Sequence, residues 1–466
     1  MVFSSTIFLF VFLPCVWLIN RYLPRSVSNV FLCVASLVFY AWGEPVYMIL
    51  LILLVLMNYL MAKGIDQARR KKARLVAGVA LNISALFAFK YTDFTLATLD
   101  LLPGVDIPLP GIMLPIGVSF FIFQAMSYLV DAYRGDCAPQ RSFMKLLLYV
   151  SFFPQLIAGP IIYYHDIERQ IEDRRITSGD TAAGIRRFVI GLSKKVLIAN
   201  TLAVAVDAIY ALEADSLSLP ACWIAALAYI LQLYYDFSGY SDMALGLGKM
   251  FGFSFKENFD YPYLSTGIRE FWQRWHMSLS GWFREYVYIP LGGNRKGALR
   301  TAFNKITVFF LTGLWHGASW TFVVWGLVHG VFLLLEQYVR PLQRLGKRVK
   351  AVGIAYTLLV LTFTFVLFRS DSFSQALVFL RNMVAGSRDL GTQAQLVTPV
   401  FIAAFCAGIL GAAPWARVVE RRLAQVRGGA GRVLVPASYA AAIVLLALCM
   451  LSLSAATHNP FIYFRF

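Results

Sequence analysis

Histidine is scarce in this 466-residue chain, with five in all, and two of the five lie in an apolar run where an imidazole is costly. Asn304 to Gln337, NKITVFFLTGLWHGASWTFVVWGLVHGVFLLLEQ, carries no ionisable side chain between Lys305 and Glu336 except His316 and His329. A polar ring at membrane depth needs a partner or a task, so a functional site is the first expectation for His316 and its neighbour Trp315. His329 lies thirteen residues further on. That is about 220° around a continuous helix, so it shares no face with His316 unless the chain breaks near Gly317. It is read as structural.

A second group lies in Asn258 to Gly293, NFDYPYLSTGIREFWQRWHMSLSGWFREYVYIPLGG, which is neither apolar enough to span a membrane nor polar enough for a solvated loop. Its interleaved Trp, Tyr, Phe and Arg suit headgroup depth. If Gly267 to Leu279 forms one helix, Arg269, Trp272, Gln273 and His276 share a face, with Glu270 and Arg274 paired on the flank. The face is either an amphipathic anchor or, with Arg274 and Trp275, the polar wall of a channel. In YYDFSGYSDM, Asp236 and Asp242 bracket Ser238 and Tyr240 at or beside the cytoplasmic end of a span. Buried carboxylates must be paired or hydrogen-bonded. They form either a polar helix terminus with Asp242 on a nearby Arg, or part of the channel to His316. The serines lack a G-x-S-x-G elbow and are poor nucleophile candidates. The turn LGGNRKG, Leu291 to Gly297, sets Arg295 and Lys296 beside two glycines, a pattern able to hold phosphates, although cytoplasmic placement alone explains the cations. His165, beside Asp166, and His458 are read as loop residues. No H-x-x-x-H, H-E-x-x-H or Cys/His ligand spacing occurs, so no metal is expected.

The elements that must position these groups are membrane helices. Hydrophobic residues make up 59% of the chain, charged ones 14%, and mean hydropathy is +0.65, far from soluble globular values. About a dozen apolar segments are each roughly long enough to cross a hydrocarbon core of about 30 Å. The fold expected is all-α and polytopic, one membrane-embedded domain over 1–466, with about twelve transmembrane helices plus re-entrant and interfacial helices. Val2 to Asn20 lacks a basic n-region and a cleavage site, and reads as a retained first helix. The 42 Lys and Arg against 25 Asp and Glu are gathered in short loops between spans, which points to a positive-inside topology and not to nucleic acid. RRKKAR at 69–74, Arg186 to Lys195, Arg295 to Arg300, Arg340 to Lys350 and Arg417 to Arg432 face the cytoplasm, while the acidic loops at 93–106 and 213–215 face outward. Six scattered cysteines imply neither a disulfide framework nor zinc.

Two segments resist simple spanning. Both ends of Phe143 to Tyr164 want the cytoplasm, and its interior FFPQLIAGP holds helix breakers, so it is expected to be re-entrant or strongly kinked, inside protein or along a wet cavity. Asn304 to Gln337 would reach about 51 Å as one helix, well beyond the core, so a break is expected at Gly317 to Ser319, with His316 at its edge.

LPIGVSFFIFQAMSYLVDAYRG (114–135), FFPQLIAGPI (152–161), YYDFSGYSDMALGLGKMFGF (234–253), the block at 258–295, GLWHGASWTFVVWGLVHG (313–330) and PFIYFRF (460–466) together resemble the membrane-bound O-acyltransferase family. The resemblance is to its bacterial branch, which serves alginate O-acetylation, with relatives in cellulose and peptidoglycan acetylation and in D-alanylation of teichoic acid. It implies that the family's two characteristic histidines are His276 in RWHMSLS and His316 in GLWHGASW, with His316 catalytic and His276 assisting. Neutral imidazole is a good general base, and apolar burial favours the neutral form. The resemblance further implies acetyl-CoA as co-substrate, an inner-membrane location, an exported polysaccharide as destination, and a periplasmic serine-dependent acetyltransferase as partner in a polysaccharide acetylation complex. A covalent acetyl-imidazole on His316 is the rival to direct base catalysis. A transporter would share the helix count and the broken segment, and a non-catalytic assembly subunit is a third reading.

Overall fold

The computed structural model describes residues 1–67, 69–339, 341, 349–415, 418, 430–455 and 462. His458 and most of the basic stretches at 340–350 and 417–432 lie outside the described residues. Backbone in hydrocarbon must satisfy its own N–H and C=O groups, and among the described residues the chain is helical, with one isolated β-bridge and no strand. The helices are α1 (Leu13–Tyr22), α2 (Arg25–Ala41), α3 (Pro45–Gln67), α4 (Lys71–Leu86), α5 (Thr92–Leu99), α6 (Val118–Arg134), α7 (Phe143–Ser151), α8 (Phe153–Leu156), α9 (Tyr164–Glu172) and α10 (Ser178–Ser193). They continue with α11 (Asn200–Tyr210), α12 (Leu219–Met250), α13 (Ile268–Arg274), α14 (Met277–Phe283), α15 (Ala298–His316), α16 (Trp320–Tyr338), α17 (Lys350–Arg369), α18 (Phe373–Ala385), α19 (Pro399–Gly411) and α20 (Ala430–Ala455). Six helical segments are long and apolar enough to cross a membrane: Pro45–Ile65, Lys71–Leu99, Ser178–Tyr210, Trp320–Tyr338, Lys350–Arg369 and Pro436–Ala455. Three shorter apolar helices accompany them. Of about twelve expected crossings, six therefore stand on length and apolarity among the described residues. α12 and α15, also read as spans, carry Asp236, Asp242 and Lys249, and Arg300 and Lys305, and are less apolar.

The described chain forms two compact units, Met1–Phe188 with Met243–Lys256, and Val189–Asp242 with Glu257–Phe466. In the first, α3, α4 and α6 pack together and α2 lies against α7. Asn58 and Asn82 exchange side-chain hydrogen bonds of 3.0 and 2.8 Å between α3 and α4, so neither buried amide is left in hydrocarbon unmatched. The FFPQLIAGP segment is broken as its composition requires. Helix stops at Ser151, resumes for Phe153–Leu156 and stops again, and everything from Leu146 to Ile162 is buried. Side chains satisfy the freed backbone: Ser36 Oγ accepts from Phe153 N at 3.1 Å, and Tyr149 Oη donates to Ile162 O at 2.7 Å. His165 is not in a loop. It sits in the first turn of α9 with Nδ1 3.1 Å from Asp131 Oδ2, a partner 34 residues away that only the folded chain brings near.

In the second unit α12 runs for 32 residues without a break, so Asp236 and Asp242 lie within it and not at its end. A π-helical turn, Lys194–Ala199, joins α10 to α11 and presents two lysines to those carboxylates. Lys194 Nζ is 2.7 Å from Asp242 Oδ2, and Lys195 forms a buried ion pair with Asp236. Neutralisation by lysine, not arginine, lets the polar stretch stay helical at depth.

Candidate active site

The expected single helix over Gly267 to Leu279 does not form. α13 ends at Arg274, Trp275 is extended, His276 takes the left-handed conformation at φ 45°, and α14 begins at Met277. The break is held from outside the segment: Asn258 O accepts from Met277 N at 3.0 Å, and Asn258 Oδ1 accepts from Ser278 N at 3.0 Å and Ser278 Oγ at 2.9 Å. One of the four residues placed on a common face therefore leaves it. Arg269, Trp272 and Gln273 line a cavity of about 1090 Å³, and His276 does not. Glu336 on α16 fixes α13 there by accepting from Ile268 N at 2.5 Å and Arg269 N at 2.9 Å.

The LGGNRKG turn forms the mouth of the same cavity. Gly292 at φ 106° and Gly293 at φ 55° turn the chain where a β-carbon would be strained, and Asn304 Nδ2 pins Gly293 O at 2.8 Å. Arg295 and Lys296 are thus brought together with Arg269, Arg284 and Lys305, five cations on a lining that contains no carboxylate. Along α15 the lining residues are Thr301, Lys305, Val308, Phe309 and Thr312, and Thr301, Lys305, Val308 and Thr312 form a stripe spaced by four, three and four. One further turn on that stripe is His316.

His316 is the last residue of α15. The expected break follows it: Gly317 is extended, and Ser319 Oγ caps α16 by accepting from Thr321 N at 3.3 Å. The His316 ring, 3% exposed, packs edge to face against Trp325 (centroids 5.1 Å) and Phe368 (5.4 Å), beside Trp315 (4.9 Å). Trp315 in turn lies 5.7 Å from the His276 ring, so the two expected histidines flank one indole. His276 Nδ1 is 3.3 Å from Asn258 Oδ1, which makes Nδ1 the protonated nitrogen and leaves the lone pair on Nε2. Burial lowers the His276 imidazole to about 3, so the ring is neutral.

Phe368 and Ser319 belong to a second, smaller cavity of about 210 Å³, lined also by Thr321, Asp236, Lys195 and Arg369. His316 itself lines neither cavity: Thr312, one turn before it on α15, lines the first, and Phe368, against which its ring packs, lines the second. Arg369 is bound to Asp207 at 2.7 Å, and Ile462 N donates to Asp236 Oδ2 at 2.9 Å. Ser238, Tyr240 and Asp242 are buried in α12 but line neither cavity. Trp275 packs on Phe271 and Phe259, and Arg274 binds Glu270 at 2.9 Å, so both support α13 and line neither cavity. Among the described residues no group of three or more His, Cys, Asp or Glu side chains converges as a metal site would require.

Sequence reasoning does not single out Trp325 or Phe368, and it reads His329 as structural. His329 Nδ1 accepts from Trp272 Nε1 at 3.3 Å, and its ring lies 5.0 Å from that of Trp325, so it belongs to the same aromatic cluster as His316. The 220° separation applies only to a continuous helix, and the chain breaks at Gly317 so that α16 folds back on α15. The spacing Trp325–His329, one turn on α16, was the available signal.

The class of this polytopic helical chain, with a buried imidazole at a helix break, is shown by its relatives. Residues 137–369 match the membrane-bound O-acyltransferase family, and the chain belongs to it. It is 39% identical over 510 residues to the "Probable alginate O-acetylase" of Pseudomonas putida, covering 100% of both chains. It is 36% identical over 421 residues to the "Peptidoglycan O-acetyltransferase" of Helicobacter pylori, covering 82% of this chain and 80% of that one. A similarity of 28% over 274 residues extends to the "Teichoic acid D-alanyltransferase" of Bacillus subtilis, covering 56% of this chain and 68% of that one. The chain is thus a multi-pass membrane acyltransferase.

Proposed function

We propose that this chain takes an acetyl group from acetyl-CoA at the cytoplasmic face of the bacterial inner membrane and delivers it for O-acetylation of an exported polysaccharide of alginate or cellulose type. The observation that carries the reading is the stripe Thr301, Lys305, Val308, Thr312, His316, which runs from five cations to the imidazole over about 22 Å. Phosphates of the donor would sit among Arg269, Arg295 and Lys296, with the pantetheine arm along α15 and the thioester at His316. The acceptor hydroxyl would enter from the Ser319 and Thr321 side. The acetyl and polymer assignments are supported by what the relatives are named for, and a periplasmic serine-dependent acetyltransferase would complete transfer to sugar.

In the direct route a hydroxyl oxygen bonds to the thioester carbonyl carbon while its proton passes to His316. The tetrahedral intermediate then collapses, the C–S bond breaks, and the thiolate leaves with the imidazolium proton. In the covalent route the neutral imidazole nitrogen attacks the carbonyl carbon, the C–S bond breaks, the thiolate leaves with the proton from the other ring nitrogen, and the acetyl group stays on the ring until a hydroxyl oxygen takes it and returns its own proton to the imidazole. The test is acetyl transfer from radiolabelled acetyl-CoA by the full chain in lipid nanodiscs. His316→Ala is expected to lower the rate by about 10²- to 10⁴-fold. Label trapped by rapid quench on the wild type and absent from His316→Ala selects the covalent route, and transfer without trapped label selects the direct one. Transfer by His316→Ala within about threefold of wild type would sink the proposal, and activity only with a D-alanyl donor would reassign the acyl group.

A further inference from the structure

Resting on the reading of His316 as the reacting imidazole, we propose that Trp325 and His329 supply the two N–H donors that receive the thioester carbonyl oxygen as it becomes negative. Trp325 and His329 are one turn apart on α16, 1% and 0% exposed. Trp Nε1 only donates, so the 3.3 Å bond from Trp272 Nε1 makes His329 Nδ1 an acceptor and puts the proton of the neutral ring on Nε2. His329 Nε2–H and Trp325 Nε1–H are both buried without a hydrogen-bond partner among the described residues. Two orphaned donors on one face of one helix cost free energy unless they serve something. The Trp325 ring packs on both His316, at 5.1 Å, and His329, at 5.0 Å, and Trp272 lines the cation-bearing cavity.

The backbone holds this arrangement. A β-carbon on Gly326 would lie 2.3 Å from Phe309 O, and one on Gly313 would lie 2.4 Å from Phe322 O, so α15 and α16 touch through glycine on both sides. That contact sets Trp325 against the His316 ring, and Trp325 links it to His329 one turn further along α16. His276 is wired the opposite way, with its proton on Nδ1, so the cluster holds one histidine in the acceptor tautomer and one in the donor tautomer. As the attacking oxygen bonds to the carbonyl carbon, the carbonyl π pair moves onto oxygen, where the two N–H groups bind it. The pair returns when the C–S bond breaks and the thiolate departs with the proton held by His316. Donors aimed at developing charge in a dry site are worth far more than in water.

The first test uses the native strain lacking its own copy, complemented with full-length variants at matched membrane levels, and measures acetyl ester in the exported polymer. Trp325→Phe keeps the ring and removes the N–H, His329→Leu removes the donor, and His329→Gln keeps an amide N–H. Trp325→Phe and His329→Leu are expected to lose about tenfold or more, and His329→Gln to stay within about threefold of wild type. Trp325→Phe within twofold of wild type, or His329→Gln as low as His329→Leu, overturns the proposal. The second test reads the carbon-13 carbonyl stretch of acetyl-CoA bound to His316→Ala protein. The band should move to lower frequency, and adding Trp325→Phe or His329→Leu should abolish that movement with the melting temperature unchanged. A band that ignores both substitutions also overturns the proposal. If calorimetry finds no acetyl-CoA binding to His316→Ala protein, the donor assignment fails while the series in cells still decides the roles of Trp325 and His329.

Discussion

His276 sits at φ 45°, a left-handed conformation that costs a residue with a β-carbon about 1–2 kcal/mol. The cost is met by Asn258, whose Oδ1 faces Ser278 N, Ser278 Oγ and His276 Nδ1 within 3.3 Å. Asn258→Ala leaves those donors buried and unmatched, so it should destabilise the chain by about 1–3 kcal/mol, visible as a lower melting temperature in detergent. With its imidazole lowered to about 3, His276 is neutral throughout pH 5 to 8. The rate profiles of wild type and His276→Gln should then share one shape over that range even if their heights differ. An inflection present in wild type and missing in the variant would show that His276 titrates there. At the cavity mouth, Arg295 and Lys296 are exposed and touch none of the aromatic cluster. Arg295→Gln with Lys296→Gln should therefore raise KM for acetyl-CoA severalfold with kcat nearly constant, and unchanged kinetics with normal insertion would remove them from the donor site.

At the scale of elements, the decisive feature is the antiparallel contact of α15 and α16. Ile306, Phe309 and Gly313 meet Phe322, Gly326 and Gly330, and the nearest atoms at Gly313 and Gly326 are backbone, which cannot rotate away. Gly326→Ala should cost about 1–3 kcal/mol by overpacking and depress transfer further by displacing Trp325 from His316. Gly179→Ala is the control, since the nearest atom to its β-carbon is Thr177 Oγ1 at 3.7 Å. Equal melting temperatures and activities for the two variants would show that the contact is not what sets the site. The same scale explains α12, where the Lys194 and Lys195 pairs allow two carboxylates inside one unbroken helix.

For the whole molecule, the formal charge of +17 is a statement about sidedness. Lys296 precedes α15 and Asp371 follows α17, and reading the three described helices between them as spans predicts opposite faces for the two positions. A cysteine at 296 in a variant lacking the six native cysteines should react with a membrane-impermeant maleimide only in inverted vesicles, and one at 371 only in intact cells with a permeabilised outer membrane. Labelling of both from one side would refute this placement of the two positions.

The membrane class, the break after His316 and the bend in FFPQLIAGP were all legible in the linear chain. Each follows from local composition or from the length a helix can have in a bilayer. Family membership was legible as well, because the matching blocks are long and of fixed order. Partnerships between distant segments were not. Asn258 breaking the helix at His276, Lys194 and Lys195 reaching α12, Asp131 meeting His165, and α16 folding back so that His329 joins His316 through Trp325 all depend on which faces meet. Hydrophobic periodicity says that a face is buried, but only tertiary packing decides what it is buried against, and in this chain that choice decides which nitrogens accept and which donate.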